Sequence, residues 1–185
     1  MLESLFNHRS IRKFKKQQVE KEILVSVLEA ACHASNTGNM QWYSIIVTTD
    51  ENLKFKLQTD CHFNQQMVAQ APVILTFCAD INRFNKWCLQ RNAEPQYDNF
   101  LSLYTATVDT IIAAQNACIA AEEHGLGVCY LGTTNYTAPR LIELLNLPSG
   151  VFPVTTIVLG YPDETPALTD RLPLEAIVHM DTYKD

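Results

Sequence analysis

The 185-residue chain lacks the short signatures that most often announce a chemistry. It has no GxGxxG turn and no GxxxxGKS or GxxxxGKT loop. Gly125, Gly127 and Gly132 in HGLGVCYLG are spaced for neither, which excludes a Rossmann dinucleotide turn and a P-loop. No HExxH pair and no GxSxG elbow occurs, and the five histidines, at 8, 33, 62, 124 and 179, form no Cys-His zinc spacing. Metal-dependent and hydrolase readings therefore lack a carrier. The six cysteines, at 32, 61, 78, 88, 118 and 129, form no CxxC and are expected as reduced thiols. The opening MLESLFNHRS has no cationic stretch leading into an apolar one, unlike a secretory leader. The longest apolar region, Val108 to Ala121, is interrupted by Asp109, Gln115 and Asn116 and is too short for a bilayer. The expectation is a cytoplasmic protein with a buried helix in that region.

An excess of cations is also missing: 14 Lys and Arg face 20 Asp and Glu, for a net charge of −6. A field of that sign repels phosphate backbones and argues against a general nucleic-acid binder. Five of the 14 cations nevertheless fall within residues 9 to 16, in NHRSIRKFKK. Arg9 and Arg12 lie three apart, so their guanidinium forks can bracket one phosphate with Ser10 donating between them. Charge runs are more often solvated faces, and Lys13, Lys15 and Lys16 fit that plainer description.

Periodicity organises the remainder. Ile23, Leu24, Val27, Leu28 and Ala31 repeat at helical spacing over residues 20 to 33, and residues 100 to 124 read as a long helix, apolar on most faces, stopped by Gly125. WYSIIVTT, VILTFCAD, GVCYLG and PVTTIVLGYP read as strands, while DENLKFKLQ, with Asp50 as N-cap, FNQQMVAQAP and APRLIELLNLP read as helices. Residues 81 to 99 are polar and irregular, with Trp87 and Tyr97 as anchors, read as helix and loop, and form a candidate lid. Pro162, Pro166 and Pro173 imply an extended tail over about 162–185 of a single domain spanning 1–185. Two helices precede the first strand and helices separate the others, so the fold class is α+β, a mixed central sheet flanked by helices.

Three polar segments interrupt this pattern. The first is His8, Arg9, Ser10 and Arg12. The second is Ser35, Asn36, Thr37, Asn39 and Gln41, which read alone is a hydrophilic turn. The third is the small-residue loop from Gly125 to Thr134, whose glycines also serve as helix caps. Asn64 and Gln65 precede another strand and equally suit a helix cap.

Taken in order, HRSIRKF, ASNTGNMQWY (where the family has a variant of Ala-Pro-Ser-Ala-Gly-Asn-x-Gln-Pro-Trp), QAPVILTFCAD, GLGVCYLG and GYPDETPALTDRLPLEAIVH resemble the nitroreductase superfamily of FMN enzymes. The resemblance implies a nitroreductase-like homodimer with FMN at the subunit interface, and residues 103 to 121 are the candidate interface and core. It implies that His8, Arg9 and Ser10 contact the phosphate and ribityl, that Arg12 reaches the N1 and O2 side of the ring, and that Arg171 closes on the phosphate. Ser35, Asn36, Thr37 and Asn39 would hold ribityl and dimethylbenzene groups, Asn64 or Gln65 would meet the pyrimidine edge, and Tyr130, Leu131, Gly132 and Thr133 would place backbone near N5. Hydride would pass by ping-pong from NAD(P)H through the flavin to a nitroaromatic or quinone, with no catalytic side chain and no metal. The alternative is a flavin-binding sensor or store without a productive cycle. Trp42 stands where the family has proline, Tyr43 where it has tryptophan, and Thr169 where many members have a lysine.

Overall fold

The computed structural model describes residues 2–96 and 98–184; Tyr97, expected as an anchor, lies outside them. Element order is α1 (Leu2–Asn7), α2 (Lys21–Cys32), β1 (Tyr43–Thr48), α3 (Glu51–Lys56), α4 (Gln66–Gln70), β2 (Val73–Asp80), α5 (Asn82–Gln90), α6 (Phe100–Glu123), β3 (Gly127–Leu131), α7 (Ala138–Leu144) and β4 (Val151–Gly160). A π-helical turn follows α3 at Leu57–Cys61. The strands form one sheet in the order β1-β2-β4-β3.

The sheet corrects the expectation of mixed pairing: all three strand pairs are antiparallel. Helices do separate successive strands, but α3 and α4 turn the chain back between β1 and β2, as α7 does between β3 and β4, so neither connection is a parallel crossover. The one parallel element among the described residues is an isolated bridge from Ser10 to Val128.

The continuous apolar runs have a simple cause in the two-residue period of a strand. On one face, Val73, Leu75 and Phe77 of β2 join Val128 of β3 and Ile157 and Leu159 of β4 beneath α2 and α6. On the other, Ile74, Cys129, Leu131 and Val158 pack with Ile11, Leu57, Met67, Val68 and Leu141. Burying each large apolar side chain contributes about 1.5–3 kcal/mol. Within α6, alanines line the inner face: Ala106, Ala113, Ala114, Ala117 and Ala121 are buried, allowing close approach to the sheet and α2. The branched and aromatic residues Leu103, Tyr104, Val108, Ile111 and Ile112 point outward. The Asp50 carboxylate accepts from the Leu53 N–H and caps α3.

The basic N-terminal segment is stitched to this sheet. The Ile11 N–H donates to Val128 O at 2.8 Å, Lys15 N–H to Tyr161 O at 2.9 Å, and Asp163 N–H to Lys13 O at 2.9 Å. The approach requires glycine at 127, because a Cβ there would lie 2.6 Å from Cγ1 of Ile11. Gly127→Ala is expected to cost about 1–3 kcal/mol through overpacking, read as a lower urea midpoint with an unchanged slope.

Candidate functional site

Three groups of polar residues emerge. In the first, His8, Arg9, Ser10 and Arg12 line a hollow of about 110 Å³ with Pro166, Ala167, Thr169 and Arg171. The hollow has three guanidinium-bearing residues and no carboxylate among its lining. Arg9 donates to the Asn7 and Pro166 carbonyls, and Arg171 to the Thr169 and Asp170 carbonyls and the Thr169 hydroxyl, which leaves further N–H groups on each fork. The Arg12 guanidinium has no hydrogen-bond partner among the described residues; its backbone N–H donates to Glu164 at 2.6 Å. His8 is oriented through Nδ1, 2.6 Å from the Glu122 carboxylate, so Nε2 is its remaining polar atom.

The second group lies at the end of β3. Leu131 is buried in the core, and the Tyr130 hydroxyl donates to Gln115 on α6, so the backbone rather than these side chains is what the strand end presents. Gly132 is exposed, and a Cβ built on it would meet nothing within 4 Å, so a flat group can lie against the main chain there. The next residue, Thr133, meets His62 Nδ1 at 2.7 Å through its hydroxyl and accepts from the Gln65 amide at 3.4 Å. Gln65 therefore joins this group. Asn64 instead takes a left-handed turn, φ 58°, and its N–H donates to the Gln58 carbonyl.

The third group is the 35–41 loop, held at one end by a carboxylate and at the other by a guanidinium, neither of which the sequence pattern singled out. Buried Asp109 on α6 accepts from the Thr37 N–H and hydroxyl, both at 3.0 Å. At the other end, Arg83 on α5 donates to the Gln41 and Tyr43 carbonyls and the Ser44 hydroxyl, and pairs with Asp80 at 3.6 Å. Asn36 Oδ1 accepts from the Gln41 N–H, and Gly38, Asn39 and Gln41 all adopt positive φ. Ser35 precedes this clamp and is exposed. The loop borders a separate cavity of about 310 Å³ lined by Gly38, Asn39, Met40, Arg83, Phe84 and Trp87. Trp42, the residue in the proline's place, is buried with its ring 5.5 Å edge-on from Phe84, which stacks in turn near Trp87.

A larger concavity lies elsewhere. It measures about 570 Å³ and is bordered by Lys13, Lys15, Lys16 and Lys54, with Glu51 and Asp163 opposing them. The Lys54 ammonium donates to the Ala71 carbonyl and pairs with Glu51, so size alone does not make this the reactive site.

The model of the nitroreductase family matches residues 5–161. The chain belongs to the nitroreductase family. It is 38% identical over 186 residues to the NAD(P)H FMN reductase of Bacillus subtilis, covering 99% of this chain and 74% of that protein. With the oxygen-insensitive NADPH nitroreductase of Salmonella typhimurium it shares 37% identity over 183 residues, with the same coverage. Among solved structures, one from Bacteroides fragilis superposes with a TM-score of 0.97 at 48% identity, over 99% of this chain and 74% of that one. The Vibrio harveyi NADPH:FMN oxidoreductase complexed with NAD+ gives 0.94 at 33%, over 100% and 78%.

Beside its strand-end group this nitroreductase-family chain carries a strongly displaced imidazole. Burial drives the His62 imidazole down to about 4 from an ordinary 6.5, because the charged form has no water. With the folded value below the unfolded one, the stabilisation is complete above about pH 6.5 and is lost as pH falls toward 4. It amounts to about 3 kcal/mol. Urea midpoints of the parent and His62→Asn should therefore diverge less at pH 4 than at pH 7, a comparison in which other titrating carboxylates cancel.

Proposed function

We propose that this chain is an FMN-dependent NAD(P)H oxidoreductase that passes hydride to electron-poor acceptors, nitroaromatics or quinones. The observation that carries the reading is the carboxylate-free hollow of Arg9, Arg12 and Arg171, formed on the segment stitched beside β3. A phosphate dianion suits that hollow, and the main chain bared at Gly132 suits a flat ring. FMN, when bound, supplies the centre that takes hydride from a nicotinamide and yields it to the acceptor.

The chain's own part is to bind and orient. Arg9, Arg12 and Arg171 supply fixed positive charge to the phosphate end, with Ser10 and His8 Nε2 as further polar contacts. Arg12, without an internal partner among the described residues, has its whole fork available to the cofactor's phosphate or the polar edge of its ring. Gly132, Thr133 and Gln65 supply the polar surface at the other end. No side chain is required as a nucleophile. The names of the Bacillus, Salmonella and Vibrio relatives, an FMN reductase, a nitroreductase and an NADPH:FMN oxidoreductase, support the same chemistry.

The working unit in this reading is a homodimer in the cytoplasm. Leu103, Tyr104, Val108, Ile111 and Ile112 form an outward apolar stripe along α6, broader than an isolated chain gains from exposing. The 35–41 loop lies at that helix, bordering its own cavity instead of the guanidinium hollow. A second copy packed on α6 would bring its loop to the site, where Ser35, Asn36, Thr37 and Asn39 would contact the cofactor.

Three measurements test these statements. Apoprotein titrated with FMN should bind it, and anaerobic stopped-flow mixing with NADPH or NADH should bleach the bound flavin; absence of bleaching within minutes would leave a flavin carrier without a reductase cycle. Arg12→Ala should weaken FMN binding about tenfold to a hundredfold, as loss of a charge-assisted contact worth about 1.5–3 kcal/mol. Separately, Ile112→Asp should shift sedimentation from dimer to monomer and weaken FMN binding together; a variant that stays dimeric would discard α6 as the interface.

A further inference from the structure

His62 is completely buried, yet only one of its ring nitrogens is used: Nδ1 lies 2.7 Å from the Thr133 hydroxyl, while Nε2 has no partner among the described residues. The hydroxyl also receives the Gln65 amide N–H. A threonine hydroxyl has one proton to give and two lone pairs to fill. Which way the proton points is therefore a question about the imidazole.

Burial keeps that ring neutral, with one N–H to place. If the proton sat on Nε2, a buried donor would be stranded without an acceptor, the rarer and costlier kind of orphan. With the proton on Nδ1, only a lone pair is left unused. Nδ1–H then donates to Thr133, Gln65 donates to the same oxygen, and both lone pairs are filled. The threonine proton must leave the cluster. Thr133 is half-buried and follows Gly132, where the backbone is bare, so the way out leads to the surface proposed for the flat ring. The turn itself is rigid, since the Thr137 hydroxyl donates to the Cys61 carbonyl at 2.7 Å and ties the two sides together.

We propose that His62 is a positioning residue that commits the Thr133 hydroxyl to donating, so that the atom it meets on the bound ring is an acceptor, a carbonyl oxygen. This rests on the FMN reading above and adds to it a direction of hydrogen bonding and a residue outside the five family motifs. A donor fixed at a ring carbonyl stabilises the negative charge that oxygen shares on reduction, favours the reduced form over the oxidised form, and so raises the midpoint potential. It also disfavours ligands that present a donor at the same point.

The test uses the full chain loaded with FMN and reads three properties other than turnover: the dissociation constant of FMN, the absorbance maximum of the bound flavin and its midpoint potential. Thr133→Val removes the proton while keeping the shape. It should lower the potential, shift the absorbance maximum and weaken FMN binding about three- to tenfold, while Thr133→Ser should restore all three. His62→Leu should lower the potential with Thr133 still in place, and His62→Asn, which keeps an N–H near the Nδ1 position, should hold it near the parent value. If His62→Leu does not fold, the valine and serine variants decide the matter alone. Parent protein that binds FMN alongside a valine variant of unchanged spectrum and potential overturns the assignment of Thr133 and leaves the flavin reading standing. Parent protein that takes up no FMN overturns both.

Discussion

The backbone hydrogen bond from Ile11 to Val128, with Ser10 bridged beside it, is the contact on which the candidate site depends. It lays an otherwise solvated basic segment along β3, close enough that only glycine fits at 127 without displacing Ile11. Two consequences follow from one register. Arg9 and Arg12 come to face the tail that carries Arg171, and the same strand runs on to Gly132 and Thr133. The cationic end and the bare main chain are thus fixed to one rigid element. Charge is concentrated there without burial, which avoids the desolvation penalty a buried arginine cluster would incur.

What the sequence made legible was local. Helix and strand positions follow from periods of 3.6 and 2, and the Asp50 cap and Gly125 stop follow from chemistry within a few residues. The HRSIR cluster was visible because like charges adjacent in sequence are conspicuous in an acidic chain. The partners that hold the site were not visible. Asp109 meets Thr37 across 72 positions, His62 meets Thr133 across 71, and Arg83 reaches Gln41 across 42. Nothing in the neighbourhood of Asp109 distinguishes it from a residue that merely interrupts an apolar run. Strand direction failed for a related reason: it is set by how the connecting helices turn the chain, and apolar composition is the same for parallel and antiparallel strands buried on both faces.

The outward and inward faces of α6 illustrate how one pattern can carry two meanings. Read as sequence, Leu103, Val108, Ile111, Ile112, Ala113 and Ala117 form a single apolar helix. In the fold, size sorts them: alanines go inward, where close packing on the sheet leaves no room, and larger residues go outward. Transfer from water favours burying the larger groups, so their exposure runs against the usual sorting.

Asp109 links that surface to the loop. Its carboxylate lies on the same helix as the exposed stripe, buried at the base of the 35–41 loop, and grips Thr37 by two hydrogen bonds. The loop backbone needs such a grip, because three of its residues, Asn39 and Gln41 among them, sit in the left-handed region that non-glycine residues avoid. Arg83 answers from the opposite end by tying the Gln41 and Tyr43 carbonyls to buried Asp80. The strain is therefore offset by two charged clamps on separate helices, α6 and α5, and any displacement of α6 against the sheet would be felt at Thr37 before the rest of the loop. A helix lined inward by alanine on a largely buried sheet resists such displacement, because small side chains leave little slack to rearrange. The packing that gives the fold its stability is in this way also what keeps the loop in register with the helix that presents it.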